Sequence, residues 1–339
     1  MVSENHPAAG DQWAAETGVD GPKSGFRRRL RSMCLVVLVP VVLSTLARHW
    51  WIADLCANLR VQWVIALSVV LCFSVFTAYH RLTVVILVAL VVQVPWFRGS
   101  VSANRVQGAS PEIVIMTANV YSPNRQHNEI VQQFLDSDAD VIVVVELSTQ
   151  LTRRLNGELS ERYPHSVCMP QDAGNFGIGV YSKHAIQDES VVSFGNLSIP
   201  SVVLSTSVGG QPLRLVATHT FPPIGPGGFR HRNDHLNELA QQVGRWRRED
   251  EQVPVVVAGD LNLTPWSPIF HDFCEQADLV SESGDVWHPT WYAFPLFPFG
   301  LVLDHVLFTS DLQCCRRQVG SGAGSDHRFV TVVLTAHGE

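Results

Sequence analysis

The sequence predicts an α/β fold, two packed mixed β-sheets forming a two-layer sandwich with helices on the outer faces, preceded by three transmembrane helices. Three observations predict it. From residue 112 to the end, apolar β-rich runs alternate with amphipathic helical stretches, in two series. Several of those runs stop at a polar residue able to bind a metal or move a proton, as many sheet enzymes arrange their chemistry. The apolar excess of the chain, which is 46% hydrophobic, sits in the first hundred residues in nearly charge-free runs.

Residues 1–25, rich in Ala, Gly, Asp and Glu without periodicity, read as a disordered cytoplasmic tail. Residues 26–98 form the membrane segment. Met33–Leu46, Val61–Ala78 and Leu82–Phe97 are its apolar runs, each at or just below the ~17–25 residues that a spanning helix needs. The first is expected to extend through Arg48 into Trp50, Trp51 and Ile52 by snorkelling. A cleaved signal peptide is disfavoured because two further apolar runs follow with no small-residue cleavage site between them. Arg27, Arg28, Arg29 and Arg31 precede the first run and His80 and Arg81 fill the link between the second and third, which places the N-terminus in the cytoplasm. Three crossings then put everything after Phe97 outside the cell membrane. Trp50, Trp51, Trp63, Tyr79, Trp96 and Phe97 sit near the run ends, where amphipathic rings favour the interface.

A polar stretch, 99–111, reads as the linker to a domain spanning 112–339. From Arg98 onward 16 Lys and Arg face 26 Asp and Glu, a balance of −10 within the whole-chain −7. That balance disfavours non-specific duplex binding, which rests on neutralising many phosphates. Nucleic acid stays as the alternative partner. The four cysteines of this part, Cys168, Cys274, Cys314 and Cys315, match no zinc spacing, and their pairing is left open.

Within the domain, Ile113–Asn119 and Val141–Glu146 read as buried strands around a helix at Asn128–Leu135, with Leu147–Arg162 mostly helical. Gly177–Ser182, Val191–Phe194, Ser201–Ser207 and Leu213–His219 follow as strands. A Gly/Pro-rich loop, Phe221–Gly228, precedes a helix from His231 to Arg248, and Val253–Asp260, Leu303–Phe308 and Phe329–Leu334 complete the strands.

Asn119, Glu146, His219, Asp260 and Asn262 thus stand at strand ends, and Asp304 with His305 and Asp326 with His327 stand beside apolar runs. Brought together, this set suits metal-assisted hydrolysis of a phosphate ester, whose anionic oxygens repel a nucleophile until their charge is neutralised. Asp260 and Asn262 alternate along an extended segment and face the same way. His305 points to the opposite face from Asp304 and is read as structural. Arg230 and Arg232 either contact a second phosphate or face solvent. The apolar loop from Tyr292 to Leu301, with Phe294, Leu296, Phe297 and Phe299, is either core packing or a lipid-facing lip.

The ordered series T-A-N-V at 117–120, V-V-E-L at 144–147, G-I-G-V-Y-S-K at 177–183, T-H-T at 218–220, G-D-L-N-L-T-P at 259–265, H-P-T-W at 288–291, L-D-H-V-L at 303–307 and G-S-D-H at 324–327 resembles the endonuclease/exonuclease/phosphatase (DNase I-like) superfamily. Three helices ahead of such a domain resemble its membrane-anchored bacterial branch. The resemblance implies a Mg²⁺-dependent (or Mn²⁺-dependent) phosphoesterase that cleaves a phosphodiester or pyrophosphate at the outer membrane surface. Its substrate would be a phosphate ester held there, such as a lipid-linked phosphate, with an extracytoplasmic nuclease as the alternative. Glu146 would be the principal metal ligand, Asn119 its support and Asp326 part of the outer metal shell. Asp260 would orient or deprotonate the attacking water, and Asn262 would donate to a phosphate oxygen. His327 would contact the phosphoryl group with Asp304 holding its ring, and a protonated His219 would serve as general acid.

Overall fold

Lack of charge and continuous apolar sequence make the first helices, and their ends fall where charge or aromatic rings return. The computed structural model describes residues 22–97, 112–281, 288–293 and 299–336. Four helices come first: α1 (Pro22–Leu43), α2 (Trp51–Asn58), α3 (Arg60–Phe76) and α4 (His80–Gln93). Leu30, Cys34, Val37 and Val41 of α1 meet Leu67 and Val70 of α3 and Ile86 of α4 in a small core. The other faces are bare and apolar, with Leu35, Val36, Val39, Val42, Val84, Val88 and Val91 all exposed, as a lipid-facing surface requires.

Two helices, Gly25–Leu46 and His80–Phe97, are long and apolar enough to cross a membrane, where the sequence predicts three. The third expected span passes only when α2 and α3 are counted together, and they are bent by 67°. The first helix does not run on into Trp50 and Trp51 either: α1 ends in a 3-10 turn at Ser44–Leu46, Trp50 is extended, and α2 starts afresh at Trp51. Helix α2 instead lies against the second part of the chain, through Asp54 to Arg232 and Asn58 to Trp266. The linker expected at 99–111 and most of the expected tail lie outside the described residues.

The remaining elements are β1 (Ile113–Asn119), α5 (His127–Ser137), β2 (Val141–Val145), α6 (Thr149–Leu159), β3 (His165–Met169), β4 (Ile178–Ser182), β5 (Ile186–Ser193), β6 (Pro200–Val208), β7 (Gln211–His219), α7 (Gly225–Glu249), β8 (Val255–Asp260), α8 (Pro268–Ala277), β9 (Leu279–Ser281), β10 (Trp291–Tyr292), β11 (Gly300–Leu301), β12 (Asp304–Thr309), β13 (Leu312–Val319) and β14 (Val330–Ala336). One six-stranded sheet runs β13-β14-β1-β2-β4-β3 and the other β5-β6-β7-β8-β12-β9. Each has one parallel pair at its heart, β1 with β2 and β7 with β8.

Alternation along the strands builds the layers. Val141, Val143 and Val145 of β2 face Val256 and Ala258 of β8 and Val306 and Phe308 of β12 in the core between the sheets. Ile142 and Val144 point the other way, onto α5 and α6 through Phe134, Leu151 and Leu155. Val255, Val257 and Leu307 likewise point out, onto Leu236, Leu239 and Val243 of α7 and Phe270 and Phe273 of α8. Helix α7 starts at Gly225, inside the stretch read as a loop, because Pro226 falls in its first turn, where no intrahelical N–H is needed. All seven cysteines are free thiols, so Cys168, Cys274, Cys314 and Cys315 form no disulfide.

Candidate active site

Strand register decides which polar ends meet. Asn119 has the same parity as Ile113 and Ile115, His219 as Leu215 and Ala217, Asp260 as Val256 and Ala258, and Asp304 as Val306 and Phe308, so all four stand at the edge of the inter-sheet core. Pairing places His219 beside Asp260 and Asp260 beside Asp304. Gly259 permits this closeness: at φ +147 a Cβ there would lie 1.8 Å from the Thr218 carbonyl oxygen, so only glycine lets β7 and β8 approach. His305 has the opposite parity, donates from Nε2 to Leu263 O (2.8 Å) and packs on Phe270, in the outer layer as its sequence position predicts.

Glu146 breaks the alternation. Following Val145, it would point to the outer layer, yet its backbone is left-handed, at φ +60, and its carboxylate turns into the site. Ser122 N–H donates to Glu146 Oε2 at 3.1 Å, and Ser122 Oγ donates to the Glu146 carbonyl. Asn119 is the bridge between the sheets. Its Nδ2 lies 3.1 Å from both Glu146 Oε1 and Asp260 Oδ2 and 3.4 Å from His327 Nε2. Its Oδ1 accepts from Tyr121 N–H, which fixes the amide's orientation.

His327 Nδ1 and Asp304 Oδ2 are 2.8 Å apart, and His327 Nε2 stands 3.7 Å from Asp260 Oδ2. Burial alone would push the His327 imidazole down, but the carboxylates of Asp304 and Asp260 outweigh it and lift it to about 10. Burial pushes Asp260 up, against the pull of His327, to about 7. His219 Nε2 sits 3.6 Å from Asp260 Oδ2. Burial pushes His219 down to about 4, so near neutral pH this pocket holds it as neutral imidazole, not as the protonated acid that the resemblance implies. Asn262, at φ +46, donates from Nδ2 to Thr220 O at 2.9 Å, while its N–H donates to Asp260 Oδ1 at 2.8 Å. Asp326 Oδ2 accepts from the Trp291 indole N–H at 3.0 Å.

Glu146, His219, Asp260, Asn262, Asp326 and His327 thus line one cavity of about 360 Å³, with Asn119 and Asp304 behind them. Among the described residues, Asp260, Asp304 and His327 bring potential metal-ligand atoms within 4.8 Å of one another. This differs from the grouping of Asn119, Glu146 and Asp326 drawn from the resemblance. The donor set fits a hard divalent cation: four carboxylates surround one imidazolium, and the buried Asp304 Oδ1 has no hydrogen-bond partner.

Several supporting residues escaped the sequence reading. Thr290 Oγ1 accepts from the N–H groups of Leu303 and Asp304 and sets the start of β12. Ser325 Oγ donates to Asn119 O and accepts from His327 N–H, tying the two loops together. Both lie inside motifs quoted above, H-P-T-W and G-S-D-H, where the neighbouring charged groups draw attention first. The cavity is also walled by Phe176, Pro222, Ile224, Leu301 and, from the N-terminal helical segment, Leu55 and Asn58. Nothing local in the sequence marks the last two. Of the two arginines after His219, Arg232 is fully buried in an ion pair with Asp54, so it neither faces solvent nor awaits a second phosphate. Arg230 donates to Pro226 O at the surface. Phe294, Leu296 and Phe297 of the apolar loop lie outside the described residues, while Phe299 is exposed.

Residues 116–327 match the model of the Endonuclease/Exonuclease/phosphatase family. Among solved structures, the chain is similar to an endonuclease/exonuclease/phosphatase from Beutenbergia cavernae DSM 12333, at 20% identity and a TM-score of 0.55 over 67% of this chain and 72% of that one. It is similar also to the human Nocturnin catalytic domain with bound sulfate, at 14% identity and 0.55 over 67% and 95%. A third is D. rerio TDP2 complexed with a single-strand DNA product, at 16% identity and 0.53 over 66% and 99%. Comparison with curated proteins finds no match.

Proposed function

The chain belongs to the endonuclease/exonuclease/phosphatase family, hydrolases of phosphate esters, and from that premise we propose that it is a Mg²⁺-dependent (or Mn²⁺-dependent) phosphoesterase working at the outer face of a cell membrane on an amphiphilic phosphate ester, such as a lipid-linked phosphate. The observation that carries this reading is the cavity itself. Its lining joins the acidic and polar groups to apolar Leu55, Phe176, Ile224, Leu301 and Leu303, and Leu55 and Asn58 come from the helical segment. Gln62 Nε2, at the start of α3, donates to Gly300 O, next to the wall residue Leu301. Ile224 on the rim is 76% exposed, an apolar side chain with little to cover it in water.

Glu146, held by Asn119 and Ser122, would hold the metal, and Asp326 would complete the outer shell. Bound there, the cation supplies neutralisation of phosphate charge and a more acidic water. Asp260, set near neutrality by burial, takes the proton of the attacking water. His327, kept cationic by Asp304, donates to a phosphoryl oxygen as charge develops there. Asn262 Nδ2 exchanges its bond to Thr220 O for a second phosphoryl oxygen. His219, on the far side of Asp260, serves the leaving oxygen once substrate charge raises its pKa.

The orientation rests on the two ends of the helical segment. Arg27 and Arg31 pack on Tyr79, so the basic cluster at 27–31 and the His80–Arg81 link gather at one end. Phe97 packs on Trp266 at the other, beside the catalytic domain. Basic residues on the cytoplasmic side put the domain outside. Nucleic acid is the second reading, favoured by the single-strand DNA product in D. rerio TDP2 and opposed by the acidic balance of this domain. The test is the full chain in vesicles with Mg²⁺, offered undecaprenyl pyrophosphate, sphingomyelin and plasmid DNA. Hydrolysis of a lipid ester is expected; cleavage of DNA alone, or of nothing, would overturn the proposal.

A further inference from the structure

Helix α2 belongs to the hydrophobic segment by sequence and to the catalytic domain by contact. Asp54 and Arg232 of α7 pair at 2.9 Å with both side chains fully buried, and Ser267 Oγ reaches Asp54 Oδ1 at 3.4 Å. One turn on, Asn58 Oδ1 accepts from both Thr264 N–H (2.8 Å) and Thr264 Oγ1 (3.0 Å), and the Asn58 carbonyl accepts from the Trp266 indole at 2.9 Å. Arg48 clamps Asp272 of α8 with two bonds, at 2.6 and 2.7 Å. These bonds reach the segment that carries the chemistry: Thr264 and Trp266 follow Asn262 directly, and Arg232 Nη1 lies 3.4 Å from Asn262 O. Between the anchors Asp54 and Asn58, Leu55 faces the cavity that holds Glu146, His219, Asp260 and His327.

We propose that α2 is a specificity-determining wall of the active site, so that the site is composite and selects phosphate esters whose apolar chain leaves the cavity along Leu55, Ile224 and Leu301 toward the bilayer. The inference rests on reading the cavity as a phosphoesterase site. The physical argument has two parts. A helix that only linked two spans would not bury an ion pair and four hydrogen bonds in the domain it serves, because a buried charge pair is costly unless its geometry is fixed. And of the two α2 residues on the cavity, Asn58 engages its amide with Asp54 O and Thr264, which leaves aliphatic Leu55 as the helix's contact for substrate. Leu55 therefore contributes binding to substrates that carry a chain and little to those that do not.

The experiment uses the full chain in phosphatidylcholine vesicles with Mg²⁺ and two substrates, a long-chain alkyl phosphodiester in the bilayer and bis(p-nitrophenyl) phosphate in solution. Leu55→Ser is expected to lower the ratio of kcat/KM for the alkyl ester over the soluble ester by about tenfold, as loss of apolar pocket contacts does. Val88→Ser, on the exposed face of α4, is expected to leave that ratio where it was. If the serine variant does not fold, Leu55→Ala gives the same sign with a fall of about threefold. An unchanged ratio in a folded Leu55 variant, or an equal fall on both substrates, overturns the role of α2 and leaves the phosphoesterase reading standing. Failure of the wild-type chain to hydrolyse either ester overturns that reading and this inference with it.

Discussion

Asp54 in α2 and Arg232 in α7 meet at 2.9 Å with neither side chain exposed, 178 positions apart in the chain. A buried pair of this kind is worth little against a well-packed apolar pair, but removing one partner strands the other without solvent. The hydrophobic segment and the catalytic domain are therefore joined by an interaction that tolerates no single change.

Asp54→Ala or Arg232→Ala is expected to destabilise the chain by about 3–5 kcal/mol, and the double variant Asp54→Leu with Arg232→Met by much less. Thermal unfolding in detergent reads both. Single variants that melt with the wild type would show that the pair is not buried in solution.

Glu146→Gln is expected to lower kcat by about 10²-fold or more with little change in melting temperature, and His327→Ala to lower kcat as much but also the melting temperature, since it strands the buried Asp304 carboxylate. EDTA is expected to abolish turnover, Mg²⁺ or Mn²⁺ to restore it, and Ca²⁺ alone to fail, because the smaller ions hold phosphate oxygen and water in a tight octahedral shell that the larger, looser Ca²⁺ shell does not reproduce. Steady-state rates on the same preparation decide both. Full turnover in excess EDTA would remove the metal from the mechanism.

His235 and His305 set an acid limit on stability. Burial pushes His235 down to about 3 and His305 to about 4. Both are neutral in the fold and take protons on unfolding near the ordinary histidine value of about 6.5. Their contribution is complete above that value and is lost as pH falls through 6.5 toward 4, by about 1.4 kcal/mol per pH unit for each ring. His305→Gln is expected to flatten the slope of melting temperature against pH between 6.5 and 4. A slope identical to that of the wild type would place the acid sensitivity elsewhere.

A phosphatase reporter fused after Ser100 is expected to be active outside the cytoplasmic membrane and one fused after His80 to be silent, from the basic cluster at the end of the bundle away from the domain. The reverse pattern would put the cavity in the cytoplasm and favour nucleic acid as substrate.

The strands that carry the site were legible because β2, β8 and β12 are buried on both faces and read as unbroken apolar runs with a polar stop. Asn119, His219, Asp260 and Asp304 follow from that reading by parity alone. Edge strand β13 did not show, since Leu312–Val319 mixes two arginines and two glutamines with its few buried residues. Nor did the seat of α2: Asp54 and Arg232 each look like surface charges until tertiary packing covers them. The metal grouping drawn from the resemblance and the tight cluster of Asp260, Asp304 and His327 are two descriptions of one pocket, joined through the Asn119 amide.

The left-handed turn at Glu146 sets the chemistry of this chain against its own backbone. Glycine would hold φ +60 without the steric cost of a Cβ, roughly 1 kcal/mol. The bonds that the carboxylate accepts from Ser122 N–H and the Asn119 amide offset that cost, so the turn is held in place by the same two neighbours that aim the side chain, and weakening either would loosen backbone and chemistry together.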